Sequence, residues 1–186
     1  MCFEIRHFAN LQNVIGHFKS RVMRKRKTTV QQIEDLLLKA EKMANKELDL
    51  VNIFYNERFI ELFIAERLGH KYGNNTQGGD AIESDTEKPT EYKAINTRSK
   101  SGKGTFQFHW LSENKIEEYK KTENMYFAIR DGITILKIYK VSTEKIMPLV
   151  DKNATGSKDI SGHAGFSEST LIEKLKADLV YERKRS

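Results

Sequence analysis

The stretch GGDAIESDTEKPTEYKAIN, residues 78–96, decides how the rest of this chain is read. It opens on an acid, Asp80, and closes in a run of β-formers that carries Glu91 and Lys93 two positions apart. Side chains alternate faces along a strand, so Glu91 and Lys93 project together and Tyr92 projects opposite. Between the two ends lie Asp85 and Pro89, residues suited to a turn, and a hairpin closed there returns Asp80 to the side of the pair. Two carboxylates and an ammonium then meet at one point. Carboxylate oxygens are hard ligands for a divalent cation, and an ammonium beside them positions a water or a phosphate. The segment predicts a metal-dependent phosphodiesterase centre. A plainer reading stands beside it, with Glu91 and Lys93 as an exposed charge pair on an edge hairpin.

The acid-x-Lys spacing also occurs at Glu113/Lys115, Glu118/Lys120 and Glu182/Lys184. Context separates them. Glu118-Tyr119-Lys120 lies in a polar stretch with helical character, where residues two apart diverge around the axis. No acid-bearing strand precedes it, whereas Glu91 and Lys93 follow directly on the Asp80 segment.

Bulk composition sets the class. A chain of 186 residues with 38% hydrophobic and 31% charged residues can bury one polar globular core and holds no apolar run long enough to span a membrane. A formal charge of +6 favours a polyanionic partner. Cys2 is the sole cysteine, which excludes an internal disulfide and a thiolate zinc site. Glu4, Arg6 and His7 stand where a signal peptide needs its apolar core, so an intracellular protein is expected.

The pattern along the chain predicts helices first and a sheet after. Residues 8–23 have helical spacing and run into Arg24-Lys25-Arg26-Lys27, a basic run suited to a helix C-terminus. Thr28 or Thr29 caps a second helix to Met43, and a third runs from Phe54 to Leu68 with Gly69 as its stop. Strands are expected at 80–84, 90–96 and 105–109, then a helix from Ser112 to Lys121. A hairpin of 125–129 and 133–141 turns at Asp131-Gly132, and a short helix covers 143–150. Residues 151–167 read as a Gly/Ser/Asn-rich loop, and Arg183-Lys184-Arg185 as a solvated tail. The fold class is α+β with an α/β core. An N-terminal helical region, 1–72, precedes a catalytic and DNA-recognition region, 73–186, within one compact domain.

The order Asp80, hairpin, Glu91-x-Lys93 resembles the core of the PD-(D/E)XK nucleases, with Gly79 in place of the usual proline. Over residues 79–145 the chain resembles type II restriction endonucleases of the PvuII kind. The phrases DAIES, EYKAIN, FHW, KIEEYKK, MYFAIRDGITILKIYKV and TEK follow in the same order at nearly the same spacing. One departure is the loop 98–104, which is about two residues longer. The resemblance implies a mixed sheet flanked by helices. It also implies that Asp80, Glu91 and the Tyr92 carbonyl ligate Mg2+ while Lys93 orients the attacking water or assists its deprotonation. A lysine beside two acids stays protonated, which favours orientation and charge stabilisation over base catalysis.

The same resemblance places Tyr119 near the scissile phosphate, against a plain reading as a core tyrosine beside Ile116. It places His109 against bases in the major groove. Asn56 takes the position of an acidic residue that reaches toward the minor groove, with helix capping as the competing role. Glu57 or Glu61 could supply a helix carboxylate to the metal. Arg98, Lys100 and Lys103 flank glycines where a loop can follow a phosphate backbone. Ser161 and His163 fall in the segment that reads bases in the relatives, but the surrounding letters differ, so no target sequence carries over.

The expectation is a Mg2+-dependent type II restriction endonuclease, a homodimer on double-stranded DNA, cytoplasmic in a bacterial or archaeal cell. Its products would carry 5′-phosphates, and a methyltransferase would act on the same site without stable binding. The rivals are a structure-selective nuclease of the junction-resolvase type and a DNA-binding regulator without activity.

Overall fold

The computed structural model describes residues 27–72, 79–98, 104–151 and 162–184. The expected helix at 8–23, most of the basic run, and Lys100, Lys103 and Ser161 lie outside them.

Helix α1 spans Thr29–Leu48. Thr28 opens it with a reciprocal cap: its hydroxyl accepts from the Gln31 N–H at 3.2 Å, and the Gln31 side chain accepts from the Thr28 N–H at 3.0 Å. The helix runs past Met43 because Ala44, Lys46, Glu47 and Leu48 are mostly good helix formers, and it stops before Asp49, which turns left-handed at φ 54°. The chain divides into two units between Ala40 and Glu41, inside this helix. In the first, Lys27 pairs with Asp35 at 2.5 Å.

Within the second unit, Ala44, Leu50 and Ile53 form a small buried cluster. Helix α2 spans Arg58–Leu68, four residues shorter at its start than the sequence predicts. Asn56 and Glu57 both take left-handed backbone angles, which leaves Tyr55–Glu57 as a separate 3-10 turn. Asn56 therefore caps nothing. Gly69 does end the helix, at φ 69°, with its N–H on the Ala65 and Glu66 carbonyls.

A mixed five-stranded sheet holds β1 (Ala81–Ile82), β2 (Pro89–Asn96), β4 (Asn124–Asp131), β5 (Thr134–Ser142) and β7 (Asp178–Glu182) in the order β1-β2-β4-β5-β7. Strands β2 and β4 run parallel, which demands a crossover; β3 (Thr105–Leu111) and α3 (Glu113–Lys120) supply it. The other neighbours are antiparallel. One face of the sheet buries Tyr92, Tyr126, Ala128 and Ile138 with Ile60 and Ile64 of α2. The opposite face buries Met125, Phe127 and Val141 with Phe106 and Phe108 of β3, Ile116 and Tyr119 of α3, and Ile146 and Val150 of α4 (Thr143–Asp151). Period-two alternation sends neighbouring residues of β2 and β4 to opposite layers. Truncating a fully buried phenylalanine such as Phe127 to alanine would cost roughly 3–5 kcal/mol.

Two sequence expectations need correction. Gly162–Ser167, read as loop, is strand β6, antiparallel to β3, with Ala164 and Phe166 buried and Gly165 between them exposed. Alternation across a short Gly/Ala segment is a faint signal, and the strand is fixed by its partner. The tail read as solvated is tied down as far as Arg183, whose N–H donates to the Leu136 carbonyl at 2.8 Å. Strand β7, at the sheet edge, and the π-turn Thr170–Lys174 before it were unforeseen. Among the described residues no helix is long and apolar enough to cross a membrane.

Candidate active site

The hairpin β1–β2 forms in the predicted place, with Ala81 opposite Thr90 and Ile82 opposite Pro89. Its entry is tight. A Cβ on Gly79 would stand 2.7 Å from the Thr90 carbonyl oxygen and 3.0 Å from its nitrogen, so only glycine fits this approach without displacement. This gives the missing proline a physical reason.

Asp80 follows at once. Its Oδ2 accepts from the Tyr92 N–H at 2.7 Å, which sets it beside the peptide that joins Glu91 to the Tyr92–Lys93 turn of the pleat. The Lys93 ammonium donates to Glu91 Oε1 at 2.5 Å and to the Tyr92 carbonyl at 3.3 Å. It also stands 5.4 Å from the ring centroids of both Phe108 and Tyr119, and these aromatic faces favour its charge. The side chains of Glu91 and Lys93 are only 6% and 16% exposed, which disposes of the exposed charge pair.

Electrostatics follow from this crowding. Burial, and then the negative charge of Glu91, push the Asp80 carboxyl up to about 8, against the pull of Lys93. Burial opposes charge on Lys93 too, but Glu91 beside it holds the ammonium well above the ordinary lysine range. Burial raises the Tyr119 phenol. Of the two helix carboxylates, Glu61 feels the site: burial raises it, a hydrogen bond from Tyr72 at 3.1 Å lowers it, and the field of Glu91 raises it further. Glu57 instead grips Arg130, with Oε1 and Oε2 at 2.7 and 2.6 Å from one guanidinium nitrogen.

Beneath the hairpin lies a buried carboxylate that sequence reasoning passed over. Glu83 accepts from Lys140 at 2.7 Å and from Asn124 and Thr86 at 3.0 Å each, and also from the Tyr126 hydroxyl. Burial opposes its charge, yet these donors hold its carboxyl down to about 2. They come from β4, β5 and its own turn, so Glu83 fastens the Asp80 arm to the central sheet. Only its place in the DAIES phrase marked it, with no signal of burial.

Of the expected DNA contacts, His109, Asn56 and Arg98 lie exposed among the described residues. His109 is exposed on β3, where the register with β6 slips between Phe108 and Leu111. His163 lies on β6 in the same irregular stretch; its side chain is outside the described residues. Asn56 is exposed beside Glu57. Arg98 is exposed and paired through its guanidinium with both Asp131 carboxylate oxygens.

A metal fits the donor set. Asp80, Glu91 and the Tyr92 carbonyl are hard oxygens, and Mg2+ keeps several waters and needs one or two carboxylates. Among the described residues no group of three or more His, Cys, Asp or Glu has metal-holding geometry, so the Tyr92 carbonyl would complete the set with Asp80 and Glu91. Burial first, and then the field of Glu91, raise Asp80, and a bound cation would offset both.

Residues 25–162 match the family model of restriction endonuclease PvuII. The chain belongs to that family. The matched span carries Asp80, Glu91, Lys93, His109 and Tyr119 and the sheet through β5, while β7 lies beyond it. Membership in the PvuII family makes this a nuclease of the restriction type with DNA as substrate, in a class that generally uses a divalent metal. No curated protein matches the chain.

Proposed function

We propose that this PvuII-family protein is a Mg2+-dependent type II endonuclease that hydrolyses double-stranded DNA at a short palindrome and leaves 5′-phosphates. One observation carries the reading: Asp80 is bound by the N–H of Tyr92, the residue between Glu91 and Lys93, so two carboxylates and an ammonium gather around a single residue. Mg2+ held by Asp80, Glu91 and the Tyr92 carbonyl would neutralise the phosphate and acidify a water. Lys93, held as an ammonium by Glu91 beside it, orients that water and offsets the charge gathering on the phosphoryl oxygens. The water oxygen bonds to phosphorus as the bond to the 3′ oxygen breaks; a proton leaves the water and the 3′ oxygen gains one. Phe108 and Tyr119 fix where the ammonium stands.

Recognition is assigned to groups other than the carboxylates and Lys93. His109, in the bulged stretch of β3, with Ser161 and His163, reads bases; a bulge re-aims side chains out of the pleat. Arg98, Lys100 and Lys103 follow the phosphate backbone, and Asn56 reaches the minor groove. Cutting both strands of a palindrome needs two centres related by a two-fold axis, so the protein acts as a homodimer, with the region 1–72 as the dimerisation element and 73–186 as the catalytic one. A cytoplasmic methyltransferase of the same host would modify the same site.

Digestion of a phage DNA of known sequence, with and without EDTA, tests the reading. Discrete fragments whose sequenced ends share one palindrome and carry 5′-phosphates are expected. A smear, or no cleavage by protein that still shifts the DNA in a gel, would sink it.

A further inference from the structure

A second ammonium reaches the centre from the crossover helix. Lys115 lies in the first turn of α3, and its N–H is held by the Ser112 hydroxyl at 3.2 Å, so its backbone is fixed by the helix cap. Its Nζ stands 4.9 Å from the ring centroid of Tyr119, the same ring that Lys93 approaches to 5.4 Å. The two lysines differ in access. Lys93 is withdrawn and tied to Glu91 and Tyr92, whereas the Lys115 side chain is 34% exposed. Its carboxylate partner is Glu118, three residues along the same helix at 3.1 Å and 47% exposed. Such exposed pairs within one helix contribute little, so the ammonium can exchange Glu118 for a stronger anion at little cost.

Charge explains why the site would use it. Asp80, Glu91 and Glu61 are three acids whose fields overlap, and Lys93 with a bound Mg2+ would offset those three and leave no charge over. An approaching phosphodiester is itself an anion. Glu91 raises the Lys115 ammonium above the ordinary lysine range although burial opposes it, so the two groups share one field. We propose that Lys115 contacts a DNA phosphate at the mouth of the Asp80–Glu91 centre, holding the backbone in place for hydrolysis. The inference rests on the reading of Asp80, Glu91 and Lys93 as the hydrolytic centre.

The test uses the full chain and its Lys115→Ala and Lys115→Arg variants. One arm measures plasmid cleavage with Mg2+ at excess enzyme; the other measures binding of a fluorescein-labelled duplex in EDTA across a range of salt. Losing a charge-assisted contact should slow Lys115→Ala by about 10–100-fold, with Lys115→Arg within a few-fold of the parent. The slope of log affinity against log salt should fall by about 1 in Lys115→Ala and stay unchanged in Lys115→Arg. Parental rate and slope in Lys115→Ala overturn the proposal. Equal losses in both variants with an unchanged slope also overturn it, since the side chain would then serve only to support Tyr119. If the parent cuts no DNA, the hydrolytic reading fails by itself, and the salt slope still decides the phosphate contact.

Discussion

Asp80 carries a charge that its surroundings disfavour, and this has a pH signature. Its carboxyl sits near about 8 in the folded, metal-free protein against an ordinary 3.8. Between those values the folded state keeps a proton that the unfolded chain releases, so stability falls as pH rises through the window and levels off above it. Asp80→Asn removes this contribution. In EDTA at pH 8, the variant should melt above the parent, and the gap should close toward pH 4. Equal melting temperatures at both ends would contradict the burial argument. Cleavage has the matching profile. Protons compete with metal at Asp80, so at subsaturating Mg2+ the rate should climb to about pH 8. It should then hold steady as the medium becomes more alkaline, because Lys93 remains an ammonium. A further rise in rate there would point to a neutral Lys93 acting as a base.

The hairpin and the crossover helix place these residues, and each has a weak point. A methyl group at Gly79 meets the Thr90 backbone, so Gly79→Ala should destabilise the protein by roughly 1–3 kcal/mol in a denaturant melt and impair cleavage further by shifting Asp80. Ser112→Ala should cost about 1 kcal/mol through loss of the helix cap. Unaltered stability in either variant would refute the contact assigned to it. At this scale the sequence was a good guide where local chemistry decides. Ser112, Gly69 and the Asp131-Gly132 turn announce their ends, and alternation announces β2, β4 and β5. It failed where long-range pairing decides. β6 is a strand because β3 lies beside it, and α2 starts late because Asn56 and Glu57 turn left-handed where Glu57 meets Arg130.

At the scale of the whole molecule, aromatic-rich layers pack on both faces of the sheet, so the β1–β2 hairpin that carries the site is supported from both sides. Asp80, Glu91 and Lys93 were legible because strand geometry makes their convergence a matter of spacing. Lys115 and Glu83 were not, since Glu91, whose field Lys115 shares, is 24 residues away and the donors to Glu83 from β4 and β5 are 41–57 away in sequence. The Glu113/Lys115 spacing even looked like a decoy. With a formal charge of +6 and the phosphate contacts proposed for it, DNA binding should weaken steeply with salt, and light scattering should give twice the monomer mass if two centres work on one palindrome. A monomer that still cuts both strands at one site would exclude the dimer. Whether Asp80, Glu91 and Lys93 form the hydrolytic centre is tested most directly by plasmid cleavage with Glu91→Gln and Lys93→Met beside the parent at saturating Mg2+. Each variant should lose activity by about 100-fold or more while it still binds the plasmid. Parental cleavage by folded Lys93→Met or Glu91→Gln protein would show that the chemistry lies elsewhere in the molecule.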